Sequence, residues 1–200
     1  FWPDGLFSQG NKNLKPEESK NTELQFRGDI DPQSYYQVNI FYNEIENLID
    51  WRYDPTLGDF GKFTPSNVSE ARIRGIEMAY NISLASWQIA LNSSYIEPKD
   101  RTADVDLQRR ARATGSVDIS RRGDDYAMGL TITGKSERKG DAGTPGGYGT
   151  VDIRFERSFG ESVIARLKVE NLFDREFISV PGYNNTGRFA LLELQYKLSH

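Results

Sequence analysis

Apolar and polar residues alternate one by one through long stretches of this chain, and a two-residue period is the mark of a β-strand with unlike faces. Val163, Ala165, Leu167 and Val169 are interleaved with Ile164, Arg166, Lys168 and Glu170. Val151, Ile153 and Phe155 are interleaved with Asp152, Arg154 and Glu156. Ala190, Leu192, Leu194, Tyr196 and Leu198 lie on one face of their segment. So do Met128, Leu130 and Ile132, and so do Val38, Ile40 and Tyr42. No stretch of helical period competes. The pattern predicts about nine strands, at 20–30, 34–49, 70–82, 86–97, 109–121, 125–138, 148–158, 162–175 and 186–198, many of them well beyond the ~5–6 residues of an ordinary strand.

The predicted connections swap length at every step. Short turns lie at Ile30–Gln33, Ser83–Ala85, Arg122–Asp124 and Phe159–Glu161. Long ones lie at Asp50–Ser69, Pro98–Gln108, Lys139–Gly147 and Glu176–Asn185. An up-and-down order with tight turns at one end and long loops at the other is the layout of an antiparallel transmembrane β-barrel. Alternation alone fits a soluble β-sandwich equally well, since there the apolar face is the core. Strand length, the regular order and aromatic residues at strand ends favour the barrel. Trp87 and Tyr126 stand beside short turns, and Tyr42 and Tyr95 lie toward the long loops, where aromatic girdles sit.

Composition narrows the function classes. The 25 Lys and Arg against 29 Asp and Glu leave a net charge of −4, which gives no footprint for nucleic acid. With no Cys, thiolate metal sites, disulfides and thiol nucleophiles are excluded, and the single His is the last residue, His200, so no internal His triad or His-based zinc site exists. Hydrophobic residues are only 37% of the chain, yet it holds 11 Phe, 10 Tyr and 3 Trp. Rings this plentiful argue against disorder and for a surface that uses them without a large closed core. No apolar run approaches the ~18 residues of a spanning helix. The start Phe1-Trp2-Pro3-Asp4-Gly5 lacks a basic and apolar leader, and the expectation is a processed or internal piece of a longer chain.

Four segments then match one family in that family's own order. Gly10-Asn11-Lys12-Asn13-Leu14-Lys15-Pro16-Glu17-Glu18-Ser19 resembles its "G-N-x-x-L-K-P-E-x-S" segment, and Ala71-Arg72-Ile73-Arg74-Gly75-Ile76-Glu77 resembles "A-x-I-x-G-V-E". Asn171-Leu172-Phe173-Asp174-Arg175 matches "N-L-F-D-[KR]", and Gly182-Tyr183 followed by Gly187-Arg188 matches the "G-Y…G-R" start of its final strand. On these residues the chain resembles the TonB-dependent outer-membrane receptors. Asn47-Leu48-Ile49-Asp50, Leu107-Gln108-Arg109-Arg110-Ala111 and Tyr183-Asn184-Asn185-Thr186-Gly187-Arg188 are most similar to the cobalamin branch; siderophore and haem receptors share most of the other elements.

The resemblance implies a plugged barrel of about 22 strands, of which residues 1–200 supply about the last nine, with the plug domain, the first strands and the TonB box lying elsewhere. An open sheet would leave unpaired edges in lipid, so the remainder of the barrel is an expected partner. The others implied are the TonB energy-coupling complex, a corrinoid or other bulky nutrient, and lipopolysaccharide; no cofactor, metal or catalytic residue is implied. The expected function is active transport across the outer membrane of cobalamin or a related corrinoid, with a ferric siderophore or haem as alternative cargo. A passive porin-like barrel and a soluble all-β binding module are the readings from other classes. Ligand contact is implied for Arg109, Tyr183, Asn184 and Asn185. A contacting Tyr of the cobalamin branch, in the loop before the seventh predicted strand, has no counterpart here, because Lys139–Gly147 is short and Gly-rich. By strand parity Arg109 points away from the lumen and reaches ligand only from the rim.

Other signals have plainer readings. Gly143-Thr144-Pro145-Gly146-Gly147-Tyr148-Gly149 precedes a strand, so it lacks the helix N-terminus of a phosphate loop and reads as an extracellular loop. Asp100, Asp104 and Asp106 lack the glycine and closing Glu of a calcium loop. Glu170 and Asp174 read as lumen carboxylates held by Arg166 or Arg188 rather than as a glycosidase pair. Arg72 and Arg74 share parity with Ile76 and Met78 and so point outward at the long-loop end, where a guanidinium suits the phosphates of lipopolysaccharide.

Overall fold

The computed structural model describes residues 4–139, 145–180 and 183–198. Phe1, Trp2, Pro3, Gly143, Thr144, Gly182 and His200, each named above, lie outside these. The described residues form ten strands and no helix: β1 (Glu18–Asp31), β2 (Ser34–Asp54), β3 (Lys62–Leu84), β4 (Trp87–Asp100), β5 (Val105–Asp106), β6 (Ala113–Arg122), β7 (Tyr126–Lys135), β8 (Tyr148–Phe159), β9 (Val163–Glu170) and β10 (Phe189–Tyr196). They pair in the order β1-β2-β3-β4-β6-β7-β8-β9-β10, with the short β5 beside β4. This is the antiparallel up-and-down order that the alternating connections predict.

The largest departures from the expected boundaries fall at three places, each for a local reason. The loop expected at Asp50–Ser69 shrinks to residues 55–61, because β2 and β3 continue as a ladder after their alternation fades. Tyr53 and Phe63 meet edge to face at 5.5 Å, and the Tyr53 hydroxyl donates to the Phe60 carbonyl at 2.6 Å. Gly61, at φ 72°, makes the turn, and a Cβ there would stand 2.3 Å from the Tyr53 hydroxyl oxygen. In the second departure β6 starts at Ala113 rather than at 109, because Arg109 sits in the left-handed region at φ 61°. The third is β9, which stops at Glu170 instead of reaching 175. Asn171, at φ 49°, turns the chain and closes it with its own amide: Nδ2 donates to the Arg175 carbonyl at 3.0 Å, and Oδ1 accepts from the Arg175 N–H at 2.9 Å. The Asn171–Arg175 motif is thus a self-bonded turn.

By internal contacts the chain divides into two units. The first comprises Phe1–Glu23, Phe41–Arg74 and Glu97–Leu107. Its core is small: Leu48, Ala71 and Leu107 are buried, with Ile45 and Ile73 packed on them. The second comprises Leu24–Ile40, Gly75–Ile96 and Gln108–His200. Its parts of β3 and β4, Gly75–Leu84 and Trp87–Ile96, match the ten residues of β6 and of β7. That is the length of a tilted strand crossing a bilayer.

Register shows where the apolar residues of the second unit go. Trp87 lies opposite Arg121, Arg121 opposite Met128, Met128 opposite Phe155, Phe155 opposite Leu167 and Leu167 opposite Leu192. Ile132, Phe155 and Leu167, all on this face of interior strands, remain 43%, 44% and 40% exposed. In water each such side chain forgoes a little under half of the roughly 1.5–3 kcal/mol that full burial supplies. Because the second unit contributes nothing to the buried hydrophobic cluster, its apolar face is no sandwich core. It has the character of a wall turned to lipid.

Candidate functional site

The opposite face of the same strands is polar and cross-linked by ion pairs. Register sets Asp118 opposite Thr131 and Thr131 opposite Asp152, with Arg154 opposite Gly129 one step on. Gly129 leaves the space in which the Arg154 side chain crosses its strand: a Cβ would stand 2.4 Å from the guanidinium carbon. Arg154 therefore reaches Asp118 with two nitrogens, both at 2.8 Å, and Asp118 also accepts from the Thr131 hydroxyl at 2.6 Å. Arg166 stands between Glu156 and Glu193, opposite each in register. Its Nε donates to Glu156 at 2.7 Å, and its Nη1 donates to Glu193 and, at 2.9 Å, to Gln195. A recess of about 630 Å³ opens on this face, with Gln88, Arg122, Arg154, Glu156, Arg166 and Lys168 in its lining.

Two expected pairings are corrected here. Glu170 bonds Lys168, its neighbour two residues back on the same face, and not Arg166, which its cross-strand carboxylates occupy. Asp174 accepts from the backbone N–H of Arg188 at 2.7 Å rather than from its guanidinium. Asp174 is thus a turn-fastening carboxylate.

At the long-loop end of the second unit three connections are tied together. The Arg109 N–H donates to the Lys139 carbonyl at 2.7 Å, joining the segment before β6 to the one after β7. Next to Lys139, the buried Arg138 sends Nη2 to the carbonyls of Ile178, at 2.8 Å, and Ser179. Tyr148 stacks on Phe177 with centroids 4.1 Å apart. Asn185 Nδ2 donates to the Phe177 carbonyl at 2.7 Å, and its Oδ1 accepts from Ser179 Oγ.

The expected ligand residues thus separate by role. Arg109 and Tyr183 stand on loops joined through Arg138 and Lys139, and both side chains are exposed, Tyr183 to 73%. Asn184 is exposed as well, whereas Asn185 is half-buried and holds its own loop. Because Arg109 lies in a left-handed turn before β6, strand parity does not set its direction, and the outward orientation expected for it has no basis. Arg138 carried no sequence signal; it is one cation among Lys135, Ser136, Glu137 and Lys139, and only the fold brings carbonyls to it.

In the first unit, Arg74 is held by Glu97, with Nη2 at 2.6 Å and Nε at 2.8 Å. Arg72 is half-buried, with an enclosed Nε that has no hydrogen-bond partner. Asp100 accepts the backbone N–H groups of Thr102 at 2.9 Å and Ala103 at 3.0 Å and pairs with Arg52 at 3.1 Å. Lys99 lies 3.8 Å from Asp104 and 3.5 Å from Asp106. These carboxylates face cations of the protein itself, and the described residues hold no cluster arranged for a metal.

A bare apolar face, a mixed-charge opposite face and loops fastened at one end are what comparison with known proteins must account for. The family model described as "TonB dependent receptor-like, beta-barrel" matches residues 3–172. The chain belongs to this family. Family membership makes it an outer-membrane β-barrel protein, and the proteins it matches are transporters and receptors. The vitamin B12 transporter BtuB of Vibrio vulnificus is 33% identical over 178 residues, covering 88% of this chain and 28% of that protein. Its counterpart in Photobacterium profundum is 28% identical over 200 residues, covering 98% of this chain and 32% of that protein. This chain therefore spans about a third of the length of these relatives. Among solved structures, the copper transporter OprC superposes with a TM-score of 0.79 at 15% identity, over 98% of this chain and 35% of the other. The siderophore receptor PirA of Acinetobacter baumannii gives 0.74 at 20%, over 94% and 33%. At such identities these two share the fold alone.

Proposed function

We propose that this chain is the C-terminal part of the barrel wall of a TonB-dependent active transporter, and that the complete receptor carries cobalamin or a related corrinoid. The observation that supports a wall with an occupied interior is the polar face, where Arg154 and Arg166 are matched by Asp118, Glu156 and Glu193. A single-sign lining would suit an open pore for small ions. Balanced pairs suit a lumen that a plug domain fills, so the passive-porin reading is the weaker one. The likeness over most of the chain to two vitamin B12 transporters supports the corrinoid. So does the rim chemistry: Tyr183 and Asn184 offer an exposed ring and a neutral amide to a bulky ligand fringed with amides.

In this mechanism the chain performs no covalent chemistry. Ligand settles on the long-loop rim, with Arg109, Tyr183 and Asn184 in contact and Asn185 and Arg138 holding the Tyr183 loop in place. A TonB partner, drawing on the inner membrane, then displaces the plug along the polar wall. In this reading Arg72 and Arg74 are the contacts for lipopolysaccharide phosphate at the outer surface, Arg74 with its charge already shared with Glu97. The test is equilibrium binding of labelled cobalamin to membranes holding the complete receptor. Saturable binding is expected; its absence, together with tight binding of a ferric siderophore, overturns the corrinoid and keeps the transporter.

A further inference from the structure

At the short-turn end of the second unit two guanidiniums interrupt the apolar face, those of Arg121 and Arg157, and among the described residues only Arg157 is paired with a carboxylate. Arg121 stands in the row Trp87, Arg121, Met128, Phe155, Leu167, Leu192, in which it is the only charged residue. Its strand alternation explains the direction: Val117 and Ile119 precede it on the same face, while Asp118 and Ser120 take the other. A charge at the middle of a lipid-facing strand costs about 2–4 kcal/mol, falling to roughly 0–1 near the headgroups. Arg121 is the second-last residue of β6, next to the Gly123–Asp125 turn, so it stands at the headgroup level.

Two rings and a hydroxyl hold the guanidinium there. Its central carbon lies 5.4 Å from the Trp87 ring centroid and 5.9 Å from that of Tyr126. Its Nε donates to Ser86 Oγ at 3.2 Å. Tyr126 reaches this place by lying over Gly123, where a Cβ would stand 2.3 Å from the ring. Cation–π contacts use the electrostatics of the ring face and consume no N–H donor. The neighbouring cation is handled differently, since Arg157, opposite Tyr126, is paired with Asp125 at 2.7 Å. Among the described residues no carboxylate pairs with Arg121.

We propose that Arg121, Trp87, Tyr126 and Ser86 form a headgroup site for an anionic glycerophospholipid of the periplasmic leaflet, with the two terminal nitrogens of Arg121 bonding the phosphate. Three properties point to that occupant. The planar guanidinium offers parallel N–H groups matched to phosphate oxygens. The flanking Trp and Tyr sit at the level where amphipathic rings settle in a bilayer. Short turns of outer-membrane barrels face the periplasm, so the leaflet at hand is the phospholipid one. The site lies on the lipid face and is independent of what the receptor transports.

The experiment uses the complete receptor in detergent, titrated with phosphatidylglycerol or phosphatidylcholine and read by native mass spectrometry. Wild type should retain phosphatidylglycerol in preference to phosphatidylcholine. Arg121→Ala should weaken that retention about fivefold, the value of one cation near an anionic surface. Arg157→Ala should leave it unchanged, because Asp125 already neutralises that residue. Should Arg121→Ala fail to assemble, Arg121→Gln keeps the packing and tests the same loss. Inorganic phosphate at millimolar concentration should not displace the lipid. Equal retention by wild type and the Arg121 variants, equal retention of the two lipids by wild type, an equal loss in Arg157→Ala, or displacement by free phosphate would each overturn the site.

Discussion

In the first unit Leu48, Ala71 and Leu107 turn toward one another and exclude solvent; in the second, Ile132, Phe155 and Leu167 line a face that stays open. Both arrangements come from strands that pair in the same way. They differ in how far each strand runs relative to a bilayer. The strands β2 and β3 hold 21 and 23 residues, about twice what a tilted strand needs to cross, and β6 and β7 hold ten. The excess of β2 and β3 falls in the first unit, where ion pairs such as Arg52–Asp100 and Arg101–Glu70 suit water. A strand segment in water must cover its apolar side with protein, whereas one in hydrocarbon leaves it open.

Accessibility gives an all-or-none way to break this comparison. Asp104→Cys, in the first unit, should react with an impermeant maleimide on intact cells expressing the complete receptor. Asp124→Cys, in a short turn of the second unit, should react only after the outer membrane is opened. The reverse pattern would invert the assignment of long loops to the cell exterior.

Next in size is the core itself. Leu107→Ala removes a buried side chain from the first unit and should cost about 2–5 kcal/mol. Because that unit is small, the cost should appear as faster amide exchange in residues 97–107 rather than as loss of the whole barrel. Unchanged exchange there would mean that the Leu48, Ala71 and Leu107 cluster contributes little to stability.

On the second unit the sharper test is a pair of adjacent residues on opposite faces. Leu167→Arg places a charge on the lipid side and should destabilise the barrel by about 2–4 kcal/mol near the midplane. Lys168→Ala, on the polar side, breaks an exposed pair with Glu170 and should cost less than about 1 kcal/mol. Chemical unfolding of the complete receptor in lipid measures both. Equal costs would mean that the faces are assigned wrongly.

Much of the fold was legible because alternation reports side-chain direction directly. The phases of β7 to β10 follow from residues such as Leu130, Ile153, Leu167 and Leu192, and the registers agree with them. Ends were less legible, because pairing outlasts alternation. Around Tyr53 and Phe63 the strand ends are held by a ring contact, by the Tyr53 hydroxyl on the Phe60 carbonyl and by backbone bonds between Phe63 and both Phe7 and Gln9. At Arg109 and Asn171 the ladder stops through a positive φ, which a non-glycine residue does not advertise. The two-residue β5 is too short to carry any period. Candidate site residues fared the same way: a motif points to Tyr183, but Arg138 bonds carbonyls 40 and 41 positions away, and carbonyls leave no trace in a sequence. The Arg166 partners needed register as well, since Glu156 and Glu193 lie on different strands from Glu170.

The last comparison concerns ligand, and it sets a loop residue that is held against one that is offered. Asn185 is fastened to Phe177 and Ser179 within its loop, whereas Tyr183 is 73% exposed on the same loop. A ring that is free before binding is covered by the ligand and should contribute as an interface aromatic does. Tyr183→Ala is therefore expected to weaken cobalamin binding to the complete receptor by roughly 1–2 kcal/mol. Tyr183→Phe should keep most of that, because the ring supplies the contact area. Asn185→Ala acts through the loop's order, so its effect should track Arg138→Ala rather than add to it, as expected of residues in one network. Strict additivity of the Asn185 and Arg138 variants in equilibrium binding would show that the loop is not held as a unit, and an unchanged affinity in Tyr183→Ala would remove this ring from the ligand's footprint.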